Sequence, residues 1–437
     1  MSLIIPANTL ASGGFAIDNS CRFNIASSDD LRRTFSSGDR KTWTWSSWIK
    51  RATLGANQSL FSCHTGDSDT AQLDLKFDSG DTISYEGKNT VFKTTSRVFR
   101  DTSAFYHIMF VLDMTQATAS NRMKFYVNGV LETSFATDNT PARNTDLGIN
   151  QNSQHAIGMK DRNTDAFFGG YLAETVFINA AALAPTDFGE FDEDSGIWKP
   201  IDVSGLTPST NGFYLDYKDS SSLGNDVYGS NNFTVSNLTA IDQSTDTCTN
   251  NFATMNPLDN FYAGSAFSEG NLKIVSGSNP YAANSATIGL SKGKWYWEIK
   301  VSSTSNEDMI GIRGDQTTSD ADYLGSSAYD YAYNSANGKI YNNGSNVSYG
   351  ATYGTNNIIS IALDLDSSTN TITFYKDGAS QGASNITNVS STTFGLYFPS
   401  LSDFVGGGSG TYEANFGSPP YAISSGNADG DGYGNFE

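Results

Sequence analysis

FVLDMTQATASNRMKFYVNG (110–129) and IALDLDSSTNTITFYKDG (361–378) carry the same design. Each opens with an apolar strand ending in Leu-Asp, passes through a polar turn, and enters a second strand ending in Phe-Tyr-x-Asn/Asp-Gly. The closing pairs Asn128-Gly129 and Asp377-Gly378 suit the positive backbone angles of a tight hairpin turn, so each stretch is expected to be strand, turn, strand, turn. Each also follows a strand with spaced tryptophans: Trp43, Trp45 and Trp48 in KTWTWSSWIK (41–50), then Trp295 and Trp297 in GKWYWEIKV (293–301). Trp295 and Trp297 are expected in the core.

Outward from these stretches the same texture continues. Runs of β-branched and aromatic residues recur between Gly, Asn, Asp and Ser clusters, and helical periodicity is almost absent. The pattern predicts an all-β protein made of two related antiparallel β-sandwiches. The 437 residues are enough for two or three domains. Four segments are expected: 1–219 as a first sandwich, 220–258 as a polar linker with one or two strands, 259–423 as a second sandwich, and 424–437 as a Gly/Asp-rich tail, poorly ordered unless covered. A short helical turn is expected at Pro185 to Phe191.

Lys and Arg number 26 against 46 Asp and Glu, a net charge of −20, yet only 16% of residues are charged. That balance argues against nucleic-acid binding through a basic face. An aromatic content of 13% is too high for a disordered polymer. Cys21, Cys63 and Cys248 are three in number and irregularly spaced, so neither a disulfide framework nor a zinc site is implied. The N-terminus lacks a basic and apolar leader, and the longest apolar run, Phe105 to Leu112, falls short of the ~20 residues of a membrane span. Export by a signal peptide and membrane insertion are therefore not expected.

Several motifs resemble known families. CRFNIASSDDLRRTF (21–35), KTWTWSSWIKR (41–51), YHIMFVLDM (106–114), MKFYVNG (123–129) and FFGGYLAETVFINAAALAPTDFGE (167–190) resemble the laminin G-like, concanavalin A-like lectin family found in marine phage and environmental viral proteins. GKWYWEIKV (293–301), MIGIRG (309–314), IISIALDLDSSTNTITFYKDG (358–378) and YEANFGSPPYAI (412–423) resemble a SPRY (B30.2-type) module, also a concanavalin A-like sandwich. In phage proteins similar to this chain, the two domains occur together with a linker like Thr249 to Pro257. The final GNADGDGYGNFE resembles a segment that continues further in such proteins, so a truncated or processed chain is expected. The resemblance implies a virion-surface protein, such as a tail fibre or appendage. Its partners would be other virion proteins and a host-surface glycan or receptor, and it would form a homo-oligomer, a trimer in a fibre. A capsid decoration or fibre-docking subunit is the alternative, and a polysaccharide-degrading enzyme the third reading.

The residues offer little catalytic chemistry. His64, His107 and His155 have no ligand partner at metal spacing, His107 reads as structural, and no nucleophile elbow is present. Glu190, Asp192 and Asp194 alternate in GEFDEDSG, but the motif only partly resembles that of glycosidases in this fold, so a solvated acidic loop is expected. No cofactor is expected. Calcium is the alternative at Asp67 and Asp69 in HTGDSDTAQ, and at Asp429 and Asp431 in NADGDGYG, where turn chemistry is the competing account. The most unusual stretch, residues 322–354, interleaves tyrosines with Asn, Ser and Gly. One reading is strand alternation into a core. The other is a recognition surface, which assigns ligand binding to Tyr323, Tyr329, Tyr331, Tyr333, Tyr341 and Tyr349, with Tyr353 in the same stretch.

Overall fold

The computed structural model describes residues 14–161, 164–277, 281, 283–305, 307–319, 321–404, 409–430 and 432–437. It divides into two units, Met1–Asn251 and Phe252–Glu437. Both are built of antiparallel strands, and only 3-10 turns interrupt them among the described residues.

In the first unit one sheet runs in the order Val130–Leu131, Met123–Val127, Tyr106–Asp113, Thr42–Arg51, Gly170–Asn179, Ser20–Phe23 and Gln243–Ser244, with Phe213–Leu215 also pairing with Gly170–Asn179. The facing sheet runs Phe135–Asp138, Val91–Thr95, Ile83–Glu86, Gln72–Phe77, Gln58–His64, Gln154–Ile157, Asp30–Thr34 and Thr234–Ser236. The hairpin predicted at 110–129 pairs Leu112 with Met123 and Ile108 with Val127. Its turn has φ of 48° at Asn128 and 76° at Gly129. Gly129 is required twice over, since a Cβ there would come within 2.4 Å of the Trp198 ring.

Alternation sorts the first tryptophan strand. Trp43, Trp45 and Ile49 enter the core between the sheets, where Trp43 meets Tyr85, Phe110 and Phe177. Trp48 points the other way and is also buried, with Ile17, Phe105, Tyr171, Ala173 and Trp198. On the rest of that outward face Met109, Val111, Val176, Ile178 and Tyr214 of the sheet are covered by Phe188 and Val203.

The covering layer corrects the expected linker. Val235 pairs with Leu31, Cys21 with Gln243, and Phe233 and Leu238 lie in the first core. The buried Lys50 ammonium holds Asp246 at 2.8 Å and Asn251 at 2.9 Å. Residues 220–251 therefore complete the first unit, and the division falls between Asn251 and Phe252. The polar composition misled because a few apolar residues of the segment, Leu223, Phe233 and Leu238, enter the core while others supply sheet edges and hydrogen bonds.

In the second unit a seven-stranded sheet runs Ala266–Ser268, Lys273–Val275, Thr411–Asn415, Lys294–Ser303, Ile358–Asp364, Thr371–Lys376 and Ala379–Asn385. It faces a six-stranded sheet of Asn284–Ser285, Phe398–Asp403, Asp308–Arg313, Asp330–Asn334, Lys339–Asn342 and Ser345–Ser348. Trp297 is 2% exposed, but Trp295 is 38% exposed, against expectation. Both rings have the same parity, with Trp297 opposite Ile361 and Trp295 opposite Leu363. Trp295 lies near the strand's start and its Nε1 donates to Lys292 O at 2.7 Å. The described tail residues also pack against this unit. Asn427 bridges to Phe436, whose ring meets Tyr296 at 5.0 Å, and Asn415 Nδ2 donates to Asn435 O at 2.8 Å.

The two neighbouring indoles give a direct test. Trp297→Ala is expected to cost about 3 to 5 kcal/mol in denaturant unfolding, as for other buried aromatics, and Trp295→Ala less than about 1 kcal/mol. Equal losses would show that both rings are core.

Candidate functional site

In the strand Asp308–Arg313, Ile310 and Ile312 enter the core, which turns Met309, Gly311 and Arg313 outward. Gly311 is obligatory, because a Cβ there would lie 1.8 Å from Tyr331 O. Arg313 is fully buried, and its cross-strand register partner is Asp330. The guanidinium donates twice to Asp330 Oδ2, at 2.7 and 3.0 Å, and to Asp322 Oδ1 at 3.0 Å. It also donates to Asp322 O and Tyr323 O at 3.3 Å each, and to Thr317 Oγ1. Asp315 Oδ1 lies 3.7 Å away. Burial opposes the charge, but Asp330, Asp322 and Asp315 outweigh it and raise the Arg313 pKa. The loop between this strand and Asp330–Asn334 is thereby tied to the sheet at Thr317, Asp322 and Tyr323.

That loop lays Leu324 on Met309, Ala332 and Ala283 of the outward face. Tyr323, Tyr341 and Phe404 pack around Leu324, and Tyr281 joins them through Phe404, so that four half-exposed aromatic rings converge. Phe404 meets Tyr323 at 4.6 Å, Tyr281 at 5.8 Å and Tyr341 at 5.9 Å. Asn337 Nδ2 donates to Tyr341 Oη at 2.9 Å. Gly325, at φ 102°, passes so close to Tyr341 that a Cβ would lie 2.7 Å from the tyrosine Cβ. The result is a patch of ring faces with amide and hydroxyl groups beside it. Such a surface can stack a flat, hydroxyl-bearing ligand and hydrogen-bond its rim.

Only two of the six tyrosines assigned to ligand binding from sequence belong to this patch, Tyr323 and Tyr341. Tyr331 is 8% exposed and Tyr333 fully buried, and with Tyr353 they belong to the core. Tyr333 packs against Tyr353 at 4.9 Å and Phe374 at 5.3 Å. Tyr349 leans on Tyr333 and Phe374, and its hydroxyl accepts from Phe374 N at 3.0 Å and donates to Gly382 O. Tyr329 is half-buried and outside the cluster. Strand alternation explains the correction, since 331 and 333 share the inward face. Tyr281 and Phe404 were missed because nothing in SNPYAAN or SDFVGG signals convergence with residues 323 and 341.

The two aspartates offered as the calcium alternative both face residues 88–90. Asp69 is spent on its own neighbourhood, accepting from Asn89 N at 2.5 Å, Thr90 N at 3.0 Å and Thr90 Oγ1 at 2.7 Å, which holds its pKa down. Asp67 faces Lys88 at 3.1 Å. Among the described residues no group of three or more His, Cys, Asp or Glu could hold a metal ion. Asp429 Oδ1 accepts from Tyr433 N at 2.8 Å, and Asp431 lies outside the described residues.

Glu190 and Asp192 sit at a small hairpin and share Lys199, at 3.2 and 3.3 Å. Asp192 closes the turn on Ser195, whose hydrogen bonds bring its pKa down to about 2. Asp194 is exposed in that turn. A carboxylate pair not foreseen from sequence, Asp74 opposite Glu86, lies on adjacent strands of the second sheet. Lys160 spans the two, at 3.9 and 3.3 Å, and Lys76 holds Glu86 at 2.8 Å.

One buried group has the composition of a hydrolase site. Ser46 Oγ lies 2.8 Å from His107 Nε2, and Glu174 lines the same small cavity with Phe188, Ile201 and Val203. The polarity is reversed from that of a nucleophilic dyad. Trp198 Nε1 donates to His107 Nδ1 at 3.1 Å, and an indole can only donate, so Nδ1 is the acceptor. Burial brings the His107 pKa down to about 3, and the neutral ring therefore carries its proton on Nε2 and donates to Ser46. A general base needs the opposite arrangement. His107 is a structural bracket, as read from sequence. Glu174 occupies the bulge of Gly170–Asn179 at φ 49° and accepts from Tyr214 Oη at 2.5 Å. Burial pushes its pKa up to about 7.

Two family models match the chain. One, described as the concanavalin A-like lectin/glucanases superfamily, covers residues 26–186, and the SPRY domain model covers residues 294–403. No curated protein matches. Solved structures with local similarity include a human SPRY domain, at 18% identity and TM-score 0.28, covering 35% of this chain and 94% of that one. A native heptameric SAP-like pentraxin from Limulus polyphemus matches at 17% identity and TM-score 0.28, over 38% and 78%. A provisionally assigned carbohydrate binding protein from Bacteroides ovatus matches at 15% identity and TM-score 0.35, over 51% and 58%.

The buried Glu174 makes a pH-dependent prediction. Its folded pKa lies above the ordinary 4.5, so its contribution is full below about 4.5 and is lost as pH rises through about 7. Facing groups are Tyr214, Asp216, Asp202 and Lys218. His107 acts with the opposite sign, so the comparison must be with Glu174→Gln. From pH 4.5 to 7 the parent protein should lose about 3 kcal/mol relative to the variant, roughly 1.4 per pH unit. Parallel stability curves for the two proteins would refute the buried carboxyl.

Proposed function

Taking the chain as a concanavalin A-like lectin domain followed by a SPRY domain, we propose that it is a non-enzymatic binding protein. The patch of Tyr323, Tyr341, Phe404 and Tyr281 takes a neutral glycan or a similarly flat, polar epitope on a cell surface. The observation that carries this reading is the convergence of four half-exposed rings on one braced face. The acidic net charge disfavours an anionic ligand. The order of the domains, with its likeness to phage proteins, supports placing the protein on a virion as a tail fibre or appendage, with other virion proteins as partners. Weak sugar sites gain avidity when multiplied, which favours a homo-oligomer, a trimer in a fibre. The reversed Ser46–His107 polarity and the lysine-bridged Asp74–Glu86 pair speak for binding over hydrolysis.

The test is a glycan array and a host-cell binding assay with Tyr323→Ala and Tyr341→Ala. Each substitution should weaken binding by about 0.5 to 1.5 kcal/mol, roughly two- to tenfold, and shift unfolding by less than about 1 kcal/mol. Unchanged binding in both variants would move the ligand elsewhere. Immunogold labelling of particles would separate a tail position from a capsid one.

A further inference from the structure

The Arg313 guanidinium is enclosed by oxygen. Five atoms accept from it: Asp330 Oδ2, Asp322 Oδ1, Asp322 O, Tyr323 O and Thr317 Oγ1. This mixture of carboxylate, carbonyl and hydroxyl oxygens is the donor set that a hard divalent cation takes in a loop. Here the place is filled by a planar, permanently charged fork covalently fixed to the sheet. Its contacts reach the loop at Thr317, Asp322 and Tyr323 and the neighbouring strand at Asp330. Thr317 is tied onward to Ala283 O at 3.1 Å, and Asp322 to Ser326 Oγ at 2.7 Å and Thr318 N at 2.9 Å. Tyr323 is held through its own carbonyl, so the ring that meets Phe404 depends directly on this ion.

We infer that Arg313 is the loop's built-in cation, a positioning residue that holds Tyr323 in the ligand-binding patch and makes recognition there independent of metal. The ligand part of this inference rests on the binding function proposed above, but the loop part does not. Three carboxylates crowd the site, and without the guanidinium their mutual repulsion and the unpaired buried charge of Asp330 would drive the loop off the sheet. Asp322 Oδ1 and Asp330 Oδ2 are therefore not open to a calcium ion in the intact protein, because the guanidinium already occupies the space between them.

Hydrogen exchange on the full chain, followed at the amides of Thr318, Leu324 and Ser326, tests the loop directly. These amides donate to Asp322 Oδ2, Ser402 Oγ and Tyr323 O. In the parent protein their protection should be the same with EDTA and with added calcium. In Arg313→Ala they should exchange at least tenfold faster while the amides of Lys294–Ser303 hold, and methylguanidinium should restore protection. Arg313→Lys, which keeps the charge but not the fork, should fall between. If Arg313→Ala does not fold, Asp322→Asn releases the loop side alone and should show the same local loss. Retained protection in the folded Ala or Asn variant, or loss of parent protection on EDTA, would overturn the inference. Glycan binding is measured in parallel on the same samples. A loosened loop with undiminished binding would leave Arg313 as the loop's cation but refute its role in recognition and the patch as the site. Binding lost only when the loop loosens supports both.

Discussion

The central constraint on the first unit is that its long sheet must be dry on both faces. Thr42–Arg51 and Gly170–Asn179 carry apolar or buried side chains at almost every position. Trp43 and Trp45 face one way, and Trp48 with Val176 and Ile178 the other. A sandwich supplies cover for only one of these faces. Fully burying a large apolar side chain is worth roughly 1.5 to 3 kcal/mol, so the outward set demands a second layer. Residues 180–251 provide it, bringing Phe188, Trp198 and Val203 over the sheet. The Ser46–His107–Trp198 chain and the bulged Glu174 are consequences of that layer. They are polar groups trapped where the cover meets the sheet, and each is satisfied or shifted in pKa accordingly.

The second unit meets the same demand differently. Its six-stranded sheet leaves an outward face with little apolar material, a glycine at its centre and an arginine on it. The cover is a polar loop that could not be held by hydrophobic contact alone, since Leu324 is its main buried apolar side chain there. A buried ion does the holding. Because a desolvated guanidinium must spend all its donors, it dictates where the carbonyls of residues 322 and 323 lie, and so where the Tyr323 ring emerges. The Tyr323 side of the aromatic patch is anchored to that ion through its own carbonyl.

Much of the architecture was readable beforehand. Period-two patterning, the Asn128-Gly129 and Asp377-Gly378 turns and the absence of helical spacing identify two antiparallel sandwiches, and the motif order matches the two domain families found. The errors have a common origin. The stretch at 220–258 looked like a linker because edge strands that complete a sheet need backbone groups more than apolar side chains. The tail looked loose because Gly and Asp are turn formers whether or not Phe436 finds a ring to pack on. Trp295 looked like Trp297 because parity is visible in sequence but the end of the opposing sheet is not.

The alternation of side chains along a strand is a covalent property of the extended backbone, so the sequence by itself determined that this chain is all-β, where its hairpins turn, and that Tyr331 and Tyr333 must share a face. Solvent exposure is not local. It depends on what the rest of the chain lays over that face, and only the tertiary structure decided that Tyr331 and Tyr333 are core while Tyr323 and Tyr341 meet Tyr281 and Phe404 in the open. The same holds for Arg313, whose neighbours in MIGIRG say nothing of Asp330 or Asp322. A buried charge is fixed by partners that folding brings to it, and those partners were placed by the register of two strands and the path of one loop.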